Sequence, residues 1–200
     1  MPVVVPDVNV LISRLNADRA GRSSTISQKV VRRLVSGSIN GEPVQIAMSF
    51  KMLDSYREAL LRKGYPEALV EESIAGLIGM MKFGALGFDP HIVLGGSPDP
   101  ALKDVEDGGV LATAYAAKAT ILITENLRDF AGRDAETFRT SRGKTPDGTM
   151  RELYCIIRSR PDGKELVIVH PADFVSWTER DLTISPQSIR RAFAKTPHGP

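Results

Sequence analysis

The chain has 200 residues, with Lys plus Arg at 26, Asp plus Glu at 24 and a formal net charge of +2. That length suits one domain, or one domain with an appendage, and so balanced a charge does not by itself imply nucleic acid, although it leaves room for a local basic face. Apolar residues at 42% exclude a disordered chain, the single cysteine excludes an internal disulfide and a cysteine-built zinc site, and no apolar run approaches the ~20 residues of a membrane span.

Met1-Pro2 leads straight into an apolar run without a basic leader, so a cytoplasmic, reducing compartment is expected. Val3-Val4-Val5-Pro6, continuing into Asp7-Val-Asn9-Val-Leu-Ile12, reads as a central parallel strand buried on both faces. Asp7 then falls at or just beyond its carboxyl end. The polar segment 16–24 reads as a loop, and a helix is expected from Ser24 or Thr25 with Ile26, Val30, Val31, Leu34 and Val35 on one face. Gly37 to Pro43 is turn material, and Val44 to Met48 is the second strand. Ser49 caps a helix running to about Arg62, and Gly64-Tyr65-Pro66 separates it from another over 67–82. A short strand is expected at His91 to Leu94.

The stretch from Leu102 to Phe130 carries most of the chemistry. Asp104, Glu106 and Asp107 stand beside two glycines, an alanine-rich helix runs from Val110 to Ala119, Ile121 to Thr124 is a short strand, and Asn126 and Asp129 follow it. The segment 131–149 reads as a loop-rich connection. Leu153 to Ile157 and Leu166 to Val169 form two strands joined across Pro161-Asp162-Gly163. Pro171 to Trp177 is a short helix, and a last helix covers 186–195. The alternation predicts an α/β fold with a mainly parallel sheet covered on both faces. Right-handed crossovers bring Asp7, the Asp104–Asp107 cluster and the Asn126–Asp129 exit to one carboxyl edge, where α/β folds bind ligands.

Each acid also has a plain structural reading: Asp7 or Asp104 as a helix N-cap, and Asp107 as a favourable charge in a first turn. Three acids at one rim nevertheless repel, and either Arg and Lys neighbours or a divalent cation must offset that cost. Basic neighbours are few (Lys103, Arg128), and oxygen-only ligands suit Mg²⁺ or Mn²⁺. Such an ion polarises a phosphoryl oxygen and generates hydroxide from bound water. Metal-dependent phosphodiester hydrolysis is therefore the leading chemistry.

These residues resemble a known family. Asp7-Val-Asn9-Val-Leu-Ile looks like the opening motif of PIN-domain ribonucleases. Asp104-Val-Glu-Asp107 with the following Ala-rich helix, ending in Thr124-Glu-Asn126-Leu-Arg-Asp129-Phe130, is similar to their second signature, and Val167-Ile-Val-His-Pro171-Ala-Asp-Phe174 to their closing strand and helix. The resemblance implies a three-layer α/β/α sandwich over residues 1–177, with 178–200 a C-terminal helical extension and tail. It implies Mg²⁺ or Mn²⁺, an endoribonuclease activity, frequent homodimers and, in many bacterial members, a toxin inhibited by an antitoxin protein. It assigns Asp7, Asp107 and Asp129 as metal ligands, with Asn9, Thr124 and Asn126 orienting ligands or phosphate and Asp104 as an outer carboxylate.

The departure lies in the helix after Ser49. The family expects a Glu six residues on, where this chain has Ser55; Glu58, one turn further, is favoured over Asp54 as its replacement in the catalytic set. The alternative is a degenerate PIN domain that binds RNA or a protein partner without cleavage. A haloacid-dehalogenase-type phosphatase would want Asp-x-Asp after the first strand, and Asn9 occupies the second place. Arg133, Arg139, Arg142 and Lys144 form a candidate RNA-binding rim, with solvated loop charge as the ordinary alternative. His91, His170 and His198 read as core, turn and tail residues rather than ligands.

Overall fold

The computed structural model describes residues 1–89, 105–132, 134–144 and 150–194, apart from the side chains of 105–106, 139–144 and 150–154. Its centre is a six-stranded sheet in the order β4-β1-β5-β8-β7-β6, built from β1 (Val3–Pro6), β4 (Gln45–Ile46), β5 (Ile121–Ile123), β6 (Ala135–Lys144), β7 (Met150–Ser159) and β8 (Glu165–Val169). The first four in spatial order are parallel, and β7 and β6 add an antiparallel edge. A separate two-stranded ribbon, β2 (Ser38–Ile39) and β3 (Glu42–Pro43), fills the turn expected there.

From β1 the chain passes through α1 (Val8–Arg19) and α2 (Ile26–Val35) to β4 on one side. From β4 it passes through α3 (Phe50–Arg62), α4 (Glu67–Lys82) and α5 (Val105–Ala116) to β5 on the other side of β1. Right-handed crossovers taken in opposite directions cover both faces of the sheet, with α5 packed on β1 and β5, and α1 also packs on α3, which follows the edge strand β4. Val4, Val5, Leu122, Ile123, Val167, Ile168 and Val169 are almost wholly buried in that sheet. α6 (Pro171–Thr178) follows β8 and packs on α2.

The helix boundaries follow their caps. Thr25 and Gln28 form a capping box at α2, Ser49 caps α3 through the Met52 amide, and Pro66 opens α4. Two expectations need correction. The run after Asp7 is not strand but α1, which also takes in much of the presumed loop 16–24. Val8, Val10, Leu11, Ile12 and Leu15 are all buried there, so the helix lacks the one-sided apolar stripe that marks a surface helix. The supposed loop-rich connection contains β6, a ten-residue edge strand. α5 begins at Val105, ahead of the expected Val110, and so places Asp107 in its first turn. Glycines there are tolerated because first-turn amides have no intrahelical partner in any case. The strand expected at His91 to Leu94 lies outside the described residues.

Cys155 is fully buried on β7, and its thiol is pushed up to about 12 by burial first and then by the negative charge of Asp173 and Glu136. The C-terminal extension folds back on the sheet: in α7 (Pro186–Ala194), Ile189 is buried, Phe193 stacks on Phe138 at 5.1 Å, and Arg190 reaches both Glu136 and Glu165. Among the described residues, no helix is long and apolar enough to cross a membrane.

Candidate active site

Adjacent strands β1 and β5 send their following connections in opposite directions, towards β4 and towards β8. Such a reversal opens a crevice at the carboxyl edge, the usual binding place of an open α/β sheet. Pro6 pairs with Ile123, and the Asp7 amide donates to the Ile123 carbonyl at 2.8 Å, so Asp7 and Thr124 emerge side by side there.

Asp7 is only 3% exposed and serves two purposes. Its Oδ1 accepts from the Asn9 amide at 3.2 Å, capping α1, and its Oδ2 accepts from the Thr124 hydroxyl at 2.6 Å. Asn9 itself is exposed, next to the carboxylate that its amide fixes. Thr124 is fully buried, and its hydroxyl oxygen also accepts from the Asn126 amide at 3.0 Å, which turns the chain back over the rim. Asn126 then spreads its amide between two acids: Nδ2 donates to Asp107 Oδ2 at 3.2 Å and to Asp129 Oδ2. Asp107 is 8% exposed, and Asp129 is exposed on the 3₁₀ turn Leu127–Phe130. One hydrogen-bonded chain, Asp7–Thr124–Asn126–Asp107 and Asp129, thus joins the three acids named from sequence.

The turn carrying Asp129 is held from below. Phe130 is fully buried, and its carbonyl accepts from Nη1 of Arg158, itself a buried residue of β7, at 3.2 Å. α5 is tied to the start of α3 by Thr113, whose hydroxyl donates to the Gly109 carbonyl at 2.8 Å and lies within hydrogen-bond distance of the Ser49 hydroxyl at 3.0 Å.

The replacement acid on α3 is less clear-cut. Glu58 and Asp54 are both exposed and Ser55 is half-buried, while Met52, Leu53, Tyr56 and Leu60 form the helix's buried stripe. Another carboxylate, missed from sequence, stands nearer the rim. Glu125 follows Thr124, and although the residue is exposed overall, its carboxyl leans onto α1 beside Ser13 and close to Asp7. Its pKa is raised, chiefly by desolvation and further by the Asp7 charge, against the lowering effect of the Ser13 hydroxyl. The only signal available in sequence was its place between two residues of interest. Asp104 and Arg133 lie outside the described residues; Arg139, Arg142 and Lys144 lie on β6. His170 caps α6, its Nδ1 accepting from the Ala172 amide at 3.2 Å. His91 and His198 lie outside the described residues.

Among the described residues, no group of three or more acid, imidazole or thiol side chains is placed to hold a metal ion. The donor set is instead two nearly buried carboxylates with exposed acids around them. That fits Mg²⁺ or Mn²⁺, since Mg²⁺ keeps several waters and binds through one or two carboxylates plus substrate phosphate.

The family model described as PIN domain matches residues 3–128. The chain belongs to the PIN-domain family. The match spans β1 through the first half of the 3₁₀ turn and so covers Asp7, Asp107, Thr124 and Asn126. PIN domains are generally nucleases and typically use divalent metal ions, which makes a nuclease-type hydrolase the coarse identity of this PIN domain. Neither the curated proteins nor the solved structures compared with the chain contain a match.

Proposed function

We propose that this PIN domain is a divalent-metal-dependent endoribonuclease, with Asp7, Asp107 and Asp129 as the acids that hold Mg²⁺ or Mn²⁺. The observation that carries the reading is the Thr124–Asn126 relay, which gathers those acids around the β1–β5 crevice. When bound, the ion supplies hydroxide near neutral pH and neutralises charge on the phosphate. The chain's own work is to hold the acids still: Thr124 and the Asn9 amide fix both Asp7 oxygens, and Asn126 fixes Asp107 against Asp129. Preset ligands of this kind need no rearrangement as charge develops.

Glu125 is the better candidate for the acid that Ser55 does not supply, because it directly follows Thr124, whose hydroxyl binds Asp7, and Glu58 and Asp54 are the alternatives on α3. The test is digestion of total cellular RNA with Mn²⁺, with Mg²⁺ or with chelator. Cutting that needs metal supports the reading. Within that assay Glu125→Gln is expected to lower the rate at least tenfold and Glu58→Gln less than threefold; the reverse order restores the α3 acid. The second reading, a PIN domain that binds RNA or protein without cleavage, is favoured by Ser55 alone. RNA retained but uncut by the wild type would select it.

A toxin role is the narrower form of the first reading, with an antitoxin protein and a second copy of this chain as its partners. Growth arrest on expression, relieved by Asp7→Asn, would support the toxin role, and sedimentation of the pure protein reads out the homodimer.

A further inference from the structure

The antiparallel edge of the sheet is longer than the sheet it joins. Pro6, Ile123, Val169, Cys155 and Phe138 form one register row across β1, β5, β8, β7 and β6, and that row marks the carboxyl rim on which the acids sit. β8 ends at Val169, yet β7 extends from Cys155 back to Met150, and β6 runs on from Phe138 to Lys144. Met150 to Tyr154 therefore overhang the rim, by roughly 17 Å at the rise of an antiparallel strand. The overhang points past the same edge as Asp7 and Thr124. Its root on β7 is two strands from β5, about 10 Å at ordinary strand spacing.

Two further features belong to this ribbon. The sequence from 139 to 154 is basic on balance: Arg139, Arg142, Lys144 and Arg151 stand against two acids, Asp147 and Glu152, in a protein whose whole net charge is +2. The ladder also breaks where the overhang begins, with register shifts between Phe138 and Arg139 and between Arg139 and Gly143. Bulges bend a strand and sharpen its twist, and they recur beside active sites, where they re-aim the chain. The ribbon lies wholly beyond residue 128, the last covered by the PIN-domain match.

We infer that the β6–β7 overhang is an RNA-holding arm, which grips the phosphates of a single strand beyond the rim while one phosphodiester reaches the acids. The inference rests on the nuclease reading for its choice of ligand. A flexible single strand is the partner that fits, because Asp7 and Asp107 are 3% and 8% exposed and a scissile phosphate must descend to them. Arm contacts to phosphate position the strand and carry no base specificity. Below the rim, Arg158 on the same strand β7 donates to the Phe130 carbonyl under the turn that bears Asp129.

The test is fluorescence anisotropy of a labelled single-stranded oligoribonucleotide in chelator, so that nothing is cut, across a salt series. The variants are a triple exchange, Arg139→Glu with Arg142→Glu and Lys144→Glu, and a milder pair, Arg142→Ser with Lys144→Ser, which keeps polarity if the triple fails to fold. The control of equal charge change is Arg32→Glu with Arg62→Glu and Lys63→Glu, at the ends of α2 and α3 on the amino edge of the sheet. The triple is expected to weaken binding at least tenfold and the pair at least threefold. The salt dependence should also become shallower, by about 0.7 in slope for every single-strand phosphate that the arm no longer neutralises. The control should stay within about twofold of wild type on the same electrostatic grounds. With Mn²⁺ the arm variants should show a raised KM and a retained kcat at saturating RNA. Arm variants that bind like wild type, a control that weakens as much, or a wild type that binds no RNA would each overturn the arm. Arm-dependent binding with no metal-dependent cutting would leave the arm standing and remove the nuclease instead.

Discussion

Asp7→Asn is expected to lower metal-dependent RNA cleavage by on the order of 10³, because a ligand worth several kcal/mol of charge stabilisation is exchanged for a neutral amide. The exchange is nearly isosteric and separates chemistry from structure. Asn is as good an N-cap as Asp, so α1 keeps its start, and one of the two hydrogen bonds from the Asn9 amide and the Thr124 hydroxyl survives. The stability cost should be about 1 kcal/mol, the worth of one such bond. Asp7→Ala loses the cap and leaves the buried Thr124 hydroxyl without that acceptor, and should cost about 2–4 kcal/mol. Kinetics together with thermal denaturation of both variants check this. An Asp7→Asn enzyme that keeps more than a tenth of wild-type activity would mean that Asp7 is only the cap of α1.

Phe130→Ala should produce a large loss of stability at the site's own turn. Phe130 is fully buried and closes the 3₁₀ turn that presents Asp129. Removing a fully buried Phe side chain costs about 3–5 kcal/mol. At about 2–4 °C per kcal/mol for a chain of this size, Tm falls by roughly 10 °C. Because the Arg158 bond goes to the Phe130 carbonyl rather than to its ring, the turn keeps one anchor. Activity measured well below the new Tm should therefore drop through Asp129 alone, far less than in Asp7→Asn. Phe130→Leu, which refills most of the space, should recover the greater part of both losses. A Tm within about 2 °C of wild type in Phe130→Ala would show that the turn is not packed as described.

Much of this architecture was legible in the chain because local chemistry and tertiary role agree. Ser49, the Thr25–Gln28 pair and Pro66 mark helix starts wherever the helix sits, so α2, α3 and α4 were readable almost to the residue. Asp7 and Asp107 were readable because one directly follows a buried apolar strand and the other opens a buried helix, and Asp129 because it stands in the polar exit after β5. Two elements were hidden for opposite reasons. α1 is buried on several sides, so Val8 to Ile12 shows no helical stripe and reads as a continuing strand. β6 is an edge strand with Phe138 as its one large apolar side chain, so it shows no alternation and reads as a loop. Its partner β7 supplies the burial that made the hairpin fold, and no local pattern within β6 records that.

The site divides along the same line. Asp7, Asp107, Thr124 and Asn126 follow from strand ends and helix starts, which sequence announces. Glu125 depends on how an exposed side chain leans over α1 towards Ser13, which only the packed structure decides. The Asn126 amide between Asp107 and Asp129 is likewise a product of the turn set by Thr124. Asn126, expected from sequence to orient ligands or phosphate, is in the structure the clamp joining two acids.

The most direct measurement is calorimetric titration of Mn²⁺ into wild type, Asp7→Asn and Asp107→Asn, with no RNA present. Rim acids that hold the cation predict binding to the wild type that is weakened at least tenfold in each variant, while all three keep their fold by circular dichroism. Wild-type binding left unchanged by both exchanges, or a wild type that takes up no Mn²⁺, would contradict the assignment of this rim as a metal-dependent nuclease site.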